Sequence, residues 1–263
     1  MIVAGVDVGS RTTCALILGD GGIMSFSLIS TGPESAKTSG KAMKEALTRG
    51  NLTLDDIGYI VATGYGRVLV PFANEIITEI SCHAKGANWY FPTVRTVLDM
   101  GGQDCKAIKV DGIGNHVNFA MNDKCAAGTG RFLEVMAEAL RLPLEDIGEL
   151  SLQSENEVRV SSTCTVFAKS EVVSLMRRGI EKSDILAGLH EAIATRVYGL
   201  LRQVRIEGDF AITGGIAKNI GVVRKLEDKV GLKALIPEEP QIVGALGAAF
   251  LAREKADRVG EKG

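Results

Sequence analysis

Residues 97–104 read Val97-Leu98-Asp99-Met100-Gly101-Gly102-Gln103-Asp104, an apolar segment that ends in Asp-x-Gly. Near the start of the chain, residues 2–8 form a similar segment, which ends in Asp7-Val8-Gly9-Ser10. Short apolar segments bounded by glycine turns are typical of buried β-strands. Two further predicted strands follow each segment, at residues 12–18 and 23–29 and at residues 105–110 and 116–121. This weak self-similarity predicts two related lobes that face each other across a cleft.

Helices are predicted between and after these strands. Apolar residues recur at helical spacing in residues 35–48. Further helices are predicted at residues 130–140, 166–177, 184–204, 219–229 and 243–254. The expected fold is therefore α/β and two-lobed. We expect residues 1–92, completed by the C-terminal helix at 243–263, to form the first lobe, and residues 93–242 to form the second.

Composition and charge exclude several classes of partner. The chain has 263 residues, of which 46% are hydrophobic and 24% are charged, with a net charge of -2. No block of Lys and Arg runs along it, so neither nucleic acid nor an anionic membrane surface is an expected partner. The first residues resemble a strand rather than a secretory signal, and the longest apolar stretch, residues 242–252, is too short to span a bilayer. We expect a cytoplasmic protein.

The two Asp-x-Gly turns are candidate phosphate loops. Glycine lets backbone N–H groups approach phosphate oxygens, and an aspartate beside them can bind Mg²⁺ or position a water molecule. Thr213-Gly214-Gly215 follows another predicted strand and strengthens this interpretation, although the glycines could also make simple hairpins. A GxxxxGK[ST] motif is absent, which excludes a P-loop ATPase, and no dinucleotide-binding GxGxxG opens a helix.

This arrangement resembles the actin, Hsp70 and sugar-kinase superfamily, whose fold is ribonuclease H-like. The resemblance implies that ATP or ADP, with Mg²⁺, binds in the cleft between the lobes. The two Asp-Gly loops would hold the β- and γ-phosphates, and the later Gly-Gly turn would lie against the adenosine.

Five cysteines occur, at positions 14, 82, 105, 125 and 164. Their number is odd and no CxxC pair exists, which argues against a disulfide framework. Cys125 and Cys164 each lie just ahead of a predicted helix, among small and hydroxyl residues, where a thiol pKa is lowered. Two thiolates are half of the set that a [4Fe–4S] cluster takes, and a two-fold axis would complete it. Two structural cysteines or a zinc site remain alternatives.

Longer segments of the chain carry a more specific resemblance. Residues 97–104, 122–132 and 161–168 are similar to the activators of 2-hydroxyacyl-CoA dehydratases, as are residues 62–67, 81–84, 213–215 and 244–249. Related ATPases serve benzoyl-CoA reductases and double-cubane-cluster proteins. The resemblance implies a homodimer with one [4Fe–4S] cluster, held by Cys125 and Cys164 of both subunits, and one ATP site per subunit. It also implies that ferredoxin or flavodoxin donates the electron, which passes to a partner iron–sulfur enzyme.

These resemblances assign roles to particular residues. Asp7 and Asp99 would organise Mg²⁺ and the attacking water, and Gln103 would orient that water or sense the γ-phosphate. Gly128, Thr129 and Gly130 would connect the nucleotide to Cys125, because ligand and phosphate loop share one turn. Phosphate or adenosine contacts are expected from Gly9, Ser10, Arg11, Thr12, Gly101, Gly102, Gly214 and Gly215.

Other residues receive structural interpretations. Cys105 is expected to be buried, and Cys82 and His83 are expected to be structural rather than a metal pair. The chain has Cys14 where a dehydratase activator is expected to have lysine, and Arg11 is the nearest replacement for that charge. Two alternative functions remain: a small-molecule kinase of the same superfamily, and an ATP-hydrolysing sensor without redox chemistry.

Overall fold

The computed structural model describes residues 1–160 and 164–260, the last two without side chains. Ser161, Ser162 and Thr163, which precede Cys164 in one of the characteristic segments, lie outside the described residues, as do residues 261–263, to which the C-terminal helix is predicted to extend. Two five-stranded sheets form the framework. They match the two strand groups that the sequence predicts.

The first sheet has the strand order β3-β2-β1-β4-β5. Strands β1 and β2 and strands β2 and β3 pair antiparallel, whereas β4 runs parallel to both β1 and β5. Its strands are β1 (Val3–Val8), β2 (Thr12–Gly19), β3 (Gly22–Ser30), β4 (Tyr59–Thr63) and β5 (Glu75–Ile76).

The second sheet repeats this topology, with the order β8-β7-β6-β9-β10. Strand β6 occupies the central position in this sheet, as β1 does in the first. It pairs antiparallel with β7 and parallel with β9, which follows several helices along the chain. Its strands are β6 (Val94–Met100), β7 (Cys105–Val110), β8 (His116–Asn122), β9 (Asp209–Thr213) and β10 (Ala234–Leu235).

Helices cover both sheets. They are α1 (Ser35–Gly50), α2 (Glu79–Tyr90), α3 (Gly130–Leu140), α4 (Ile147–Ser151), α5 (Thr165–Arg177), α6 (Lys182–Val204), α7 (Ile220–Val230) and α8 (Val243–Gly260). The five-residue helix α4 is too short to leave a periodic signal in the sequence. Helix α8 extends beyond the predicted end at residue 254. Arg253 and Lys255 contact the first sheet there, at the Gly19 carbonyl and at Glu75.

The first sheet is buried on both faces. Ala4, Val6 and Val8 of β1 pack in one cluster with residues of α1, and Val3 packs in another with residues of α8. Helix α8 lies so close to β1 that a Cβ on Gly5 would come within 1.9 Å of the Ala245 carbonyl oxygen. This close approach requires glycine at position 5.

Helix α2 packs against both lobes. Cys82 lies in the cluster of β1 and α8, whereas Ile80, Ala84 and Ala87 pack against Val94, Val97, Ile108 and Ala211 of the second sheet. Gly86 of α2 and Gly247 of α8 let the two helices cross in backbone contact, since a Cβ on either would collide with the other helix. Helix α2 therefore belongs to both cores. The lobe limits at residues 92 and 243 stay a prediction.

The other face of the second sheet carries the largest core cluster, which contains residues of α3, α5, α6 and α7. In the part of the chain that the structure describes, no helix combines the length and the apolar character needed to cross a bilayer.

Candidate functional site: a two-loop phosphate cleft

A cavity of about 630 Å³ lies between the two sheets. Every residue predicted to act on the nucleotide lines it, apart from Gly128 and Thr129. The predicted residues at the cavity are Asp7, Gly9, Ser10, Arg11, Thr12, Asp99, Gly101, Gly102, Gln103, Gly130, Gly214 and Gly215. The structure thus brings both Asp-x-Gly loops and the Gly-Gly turn to one cleft.

The two loops have the same backbone geometry. The N–H of Gly9 donates to the Thr12 carbonyl, and the N–H of Gly101 donates to the Asp104 carbonyl, both over 2.9 Å. A Cβ at either glycine would come within 3 Å of an oxygen in its own turn. Each loop is therefore a tight strand-to-strand turn that only glycine fits at this position.

A Thr-Gly pair lies beside each aspartate. Thr63 of β4 is in register with Asp7, and Thr213 of β9 is in register with Asp99. The glycines that follow, Gly64 and Gly214, have φ values of 85° and 81°. Side chains at these positions would be strained and would also strike the aspartates. The pair at Thr63 and Gly64 is a site feature that the sequence analysis missed, although the repeat Thr-Gly after a strand signals it.

Asp99 is a well-compensated buried carboxylate. Lys106 of β7 lies directly opposite it, with Nζ 3.4 Å from Oδ2, and the same Nζ lies 2.8 Å from Asp104. The Thr213 hydroxyl donates to Asp99 Oδ1 over 3.2 Å. Burial alone would raise the pKa of Asp99, but His83, Lys106 and the Thr213 hydrogen bond hold it below its ordinary value.

Lys106 itself is only 3% exposed. Burial acts to lower its pKa, but the carboxylates of Asp99 and Asp104 outweigh this and raise the pKa above its ordinary value. Lys106 is thus a fixed cation in the cleft. The sequence analysis did not assign it, although its position at the start of the strand after the Asp99 loop is a detectable signal.

Asp7 is less well compensated. The residue opposite it on β2 is Cys14 instead of a lysine, and the basic side chain beside it is His83, whose Nε2 lies 3.9 Å from Asp7 Oδ2. Burial raises the pKa of Asp7 to about 6, because desolvation outweighs the attraction of His83. A cation that enters the cleft would stabilise the charged form of the Asp7 carboxyl group and so lower its pKa.

Arg11 of the first loop reaches across the cleft. Its guanidinium pairs with Glu134 of α3, with Nη2 to Oε1 at 2.7 Å, and Glu134 also pairs with Arg131 at 3.0 Å. A Cβ on Gly102 would lie 2.2 Å from the Arg11 side chain, so Arg11 covers the second loop directly. The positive charge of the first loop is therefore held by the opposite lobe.

The second loop is hydrogen-bonded to the start of α3. The N–H groups of Gly130 and Arg131 donate to the carbonyls of Gly101 and Gly102, over 3.0 and 2.8 Å. Thr129, the N-cap of α3, is fully buried behind this contact, and its hydroxyl donates to the Ala126 carbonyl over 2.6 Å. Ala126 follows Cys125, so a continuous chain of bonds joins the phosphate loop to that cysteine.

The cysteines fall into two groups. Cys14, Cys82 and Cys105 are buried, and burial raises the pKa of each thiol, to about 12 for Cys82. Cys125 and Cys164 are half-buried free thiols. Burial makes the first three thiols unreactive. Packing of the core alone does not explain why the other two cysteines are half-buried.

Cys125 and Cys164 have the chemistry that an iron–sulfur cluster requires. Cys164 is the N-cap of α5, where the helix dipole favours an anionic sulfur. The neighbouring apolar residues Val166 and Phe167 are 70% and 71% exposed. Among the described residues of one chain, no three His, Cys, Asp or Glu side chains converge as a metal site. Cys125 and Cys164 are both free thiols, so each remains a candidate ligand.

Among the site residues, His83 differs most from what the sequence predicts. It is a buried helix residue as expected, but it lies in the cleft, between the two aspartates. Glu79, Asp104, Glu134, Lys218, Asn219 and Gln241 also line the cavity without a sequence prediction. Asp104 lies within the second phosphate loop itself, whereas the others come from elements that the fold brings together, so no local motif marks them.

Comparison with known proteins identifies the family. The sequence profile of the BadF/BadG/BcrA/BcrD ATPase family matches residues 4–252. The activator of lactoyl-CoA dehydratase from Anaerotignum propionicum is 45% identical, over 98% of this chain and 100% of the relative.

Solved structures agree. The (R)-2-hydroxyglutaryl-CoA dehydratase component A of Acidaminococcus fermentans superposes with a TM-score of 0.94 at 44% identity, over 98% of this chain and 99% of that one. The activator of 2-hydroxyisocaproyl-CoA dehydratase from Clostridium difficile, with bound ADPNP, gives 0.93 at 40% identity, over 100% and 98%. A glucokinase of the ROK family from Streptomyces griseus, 13% identical with a TM-score of 0.61 over 97% and 100%, shares the fold alone. The predicted actin- and sugar-kinase-like fold is confirmed, and the chain belongs to the BadF/BadG/BcrA/BcrD ATPase family.

Proposed function

We propose that this chain is a cytoplasmic reductive activator, which couples ATP hydrolysis to the delivery of an electron to a partner iron–sulfur enzyme, such as a 2-hydroxyacyl-CoA dehydratase. One observation carries the proposal: the second phosphate loop is hydrogen-bonded to the start of α3, the helix that follows the Cys125 turn. The names of the relatives, activators of dehydratases, support the dehydratase as partner. The absence of disulfides among all five cysteines supports an intracellular location.

The cleft is the proposed ATP site. Asp7 and Asp99 would hold Mg²⁺ and the attacking water, and Gln103 would orient that water. Lys106 keeps Asp99 ionised, and Asp7 becomes fully charged when the cation arrives. The Gly9 and Gly101 N–H groups already close the two turns. Other backbone N–H groups of the loops, such as that of Gly102, and the Ser10 hydroxyl would bind phosphate oxygens, and Gly214 and Gly215 would lie against the adenosine.

Cys125 and Cys164 are the proposed cluster ligands. A [4Fe–4S] cluster, when bound, supplies a one-electron store of low potential. Two thiols per chain are half its ligand set, so we propose a homodimer in which both copies contribute their pair. Ferredoxin or flavodoxin is the proposed donor. Binding and hydrolysis of ATP would move the Gly101–Gly102 turn and with it α3 and Cys125, which is a nucleotide-biased switch.

More than one class of iron–sulfur protein could be the acceptor. A ring reductase of the benzoyl-CoA type or a double-cubane-cluster protein would accept an electron from the same surface. Reconstitution with each class of acceptor separates them. The kinase alternative keeps the same cleft but needs no iron.

Iron content tests the cluster. We expect about two irons and two acid-labile sulfides per chain in wild-type protein purified without oxygen, and loss of both in Cys125→Ala and in Cys164→Ala. Cys82→Ala is the matched control, because that thiol is fully buried. It should keep its iron. Wild-type protein without iron would remove the proposed electron transfer and favour a kinase.

Thr129 tests the coupling. Thr129→Val removes the hydroxyl that bonds the Ala126 carbonyl, whereas Thr129→Ser keeps it. We expect the Val variant to hydrolyse ATP at a near wild-type rate but to lose electron transfer to the acceptor by about fivefold or more, the usual size of a site-to-site coupling. Rates of both reactions, measured in the same preparation, give the result. Normal electron transfer in Thr129→Val would show that the signal takes another route.

A further inference from the structure

His83 lies where the two lobes meet. It is on α2, the helix that packs against both sheets, and its side chain is only 6% exposed. The ring lies between the carboxylates of the two phosphate loops. Nδ1 is 3.5 Å from Asp99 Oδ1, and Nε2 is 3.9 Å from Asp7 Oδ2.

The hydrogen bonds around the ring define its orientation. Thr213 Oγ1 donates to Asp99 Oδ1, because the carboxylate can only accept. The same hydroxyl lies 3.1 Å from His83 Nδ1, so it accepts from Nδ1–H. Nδ1 therefore carries a proton in either charge state of the ring, and a chain of donors runs from His83 through Thr213 to Asp99.

The surroundings leave the ring little freedom. A Cβ on Gly244 of α8 would lie 2.9 Å from His83 Nε2 and 2.1 Å from Asp7 Oδ2. The backbone contact of α2 with α8 at Gly86 and Gly247 fixes the helix that carries the ring. The imidazole is therefore held in one place by packing, independently of its hydrogen bonds.

We propose that His83 is a positioning residue for ATP hydrolysis. Its Nδ1–H holds the Thr213 hydroxyl, which in turn holds Asp99, and its other edge sets the distance to Asp7 across the cleft. The ring thus orients the Asp99 carboxylate of one lobe while it lies close to Asp7 of the other. This inference rests on the proposed ATP hydrolysis in the cleft and adds a residue that the phosphate-loop motifs do not contain.

Substitutions that preserve or remove one ring nitrogen provide the test. The amide nitrogen of Asn can take the place of Nδ1, so His83→Asn should retain most of kcat. His83→Gln, whose amide reaches further, and His83→Leu should lose about tenfold to hundredfold in kcat, with little change in KM for ATP, because misplaced groups slow the chemical step. His116→Leu, at an exposed histidine on β8, is the control and should behave as wild type.

A second comparison separates positioning from packing. Thr213→Val removes the link between His83 and Asp99. If His83 acts through Thr213, the double variant His83→Gln/Thr213→Val should lose little more than the worse single variant. Unchanged kcat in His83→Gln and His83→Leu, equal loss in His83→Asn and His83→Leu, or additive losses in the double variant would each overturn the inference.

The wild-type control distinguishes a failure of the proposed function from a failure of the proposed role of His83. No ATP hydrolysis by wild-type protein would contradict the proposed function itself. Hydrolysis by wild-type protein with unaffected His83 variants would contradict only the role of His83. If His83→Leu does not fold, the pair His83→Asn and His83→Gln carries the test alone.

Discussion

The first and second phosphate loops have the same backbone design but different electrostatics. Each aspartate ends the central strand of its sheet, precedes a glycine turn and lies beside a Thr-Gly pair. The residue in register on the neighbouring strand differs: Cys14 faces Asp7, and Lys106 faces Asp99. His83, Lys106 and the Thr213 hydrogen bond together lower the pKa of Asp99, whereas burial raises the pKa of Asp7 to about 6.

This difference shows that a repeated backbone does not imply repeated chemistry. A buried carboxylate with a lysine opposite it is a permanent anion. A buried carboxylate with a thiol opposite it ionises only at a cost in stability, which a bound cation would offset. The charge of Asp99 in the second loop is therefore fixed, whereas the charge of Asp7 in the first loop depends on what binds in the cleft. Three substitutions test this contrast.

Removal of Lys106 should have the largest effect. Lys106→Met keeps the length of the side chain but leaves Asp99 and Asp104 without their buried cation, so we expect the free energy of unfolding to fall by about 3 kcal/mol or more. Denaturant unfolding at neutral pH measures this. Lys109→Met is the matched control on the same strand, because its pair with Glu207 is partly exposed and should contribute less than about 1 kcal/mol. Equal losses would show that Lys106 is not the special cation of the cleft.

Substitution of Asp7 should have a smaller effect of opposite sign. Its pKa is raised from 3.8 to about 6, so the folded protein binds this proton more tightly than the unfolded chain does. The contribution of Asp7 to the wild-type free energy of unfolding should therefore fall as pH rises from about 4 to about 6, by at most about 3 kcal/mol. Asp7→Asn cannot ionise and should escape this fall.

The difference between the two proteins is measured by urea unfolding without nucleotide or divalent cations. Asp7→Asn should be the more stable protein near pH 7, and the two should converge near pH 4. Asp55→Asn, at an exposed carboxylate, should follow wild type. Parallel curves for Asp7→Asn and wild type would mean that Asp7 is ionised at no cost in the folded state.

A lysine at position 14 should make the loops alike. Cys14→Lys places a cation in register with Asp7, so the fall in stability between about pH 4 and pH 6 should shrink by at least half. Near pH 7 we expect a net change within about 1 kcal/mol, because the attraction to Asp7 is offset by the cost of burying the ammonium group. Cys14→Met, which changes size without charge, is the control. The same pH dependence in both variants would contradict the explanation based on the facing residue.

Much of the fold was predictable because its signals are local. Strands β1 and β6 are short apolar runs that end at glycine turns, and α3 begins and ends at the predicted residues, Gly130 and Leu140. Helix α4 and the short strand β5 were missed, because five and two residues are too few for a periodic pattern. The end of α8 was placed too early, since its last turns are held by contacts with the first sheet.

The candidate site divides in the same way. The sequence by itself determined the residues whose chemistry depends on neighbours along the chain: the two aspartates and glycines of the loops, and the two cysteines in their unusual segments. Turn geometry and helix N-termini are properties of a few consecutive residues, so they can be read without a fold.

Only the tertiary structure decided which side chains meet those motifs. Lys106 opposes Asp99 through strand register, Arg11 meets Glu134 across the cleft, and His83 reaches both aspartates because α2 crosses α8 at two glycines. Arg11 and His83 meet partners that are distant in the chain, whereas Lys106 follows Asp99 by only seven residues. The strength of all these contacts depends on burial, which removes the water that would otherwise screen each charge. Local sequence patterns specify the loops, but the electrostatic difference between them arises from packing.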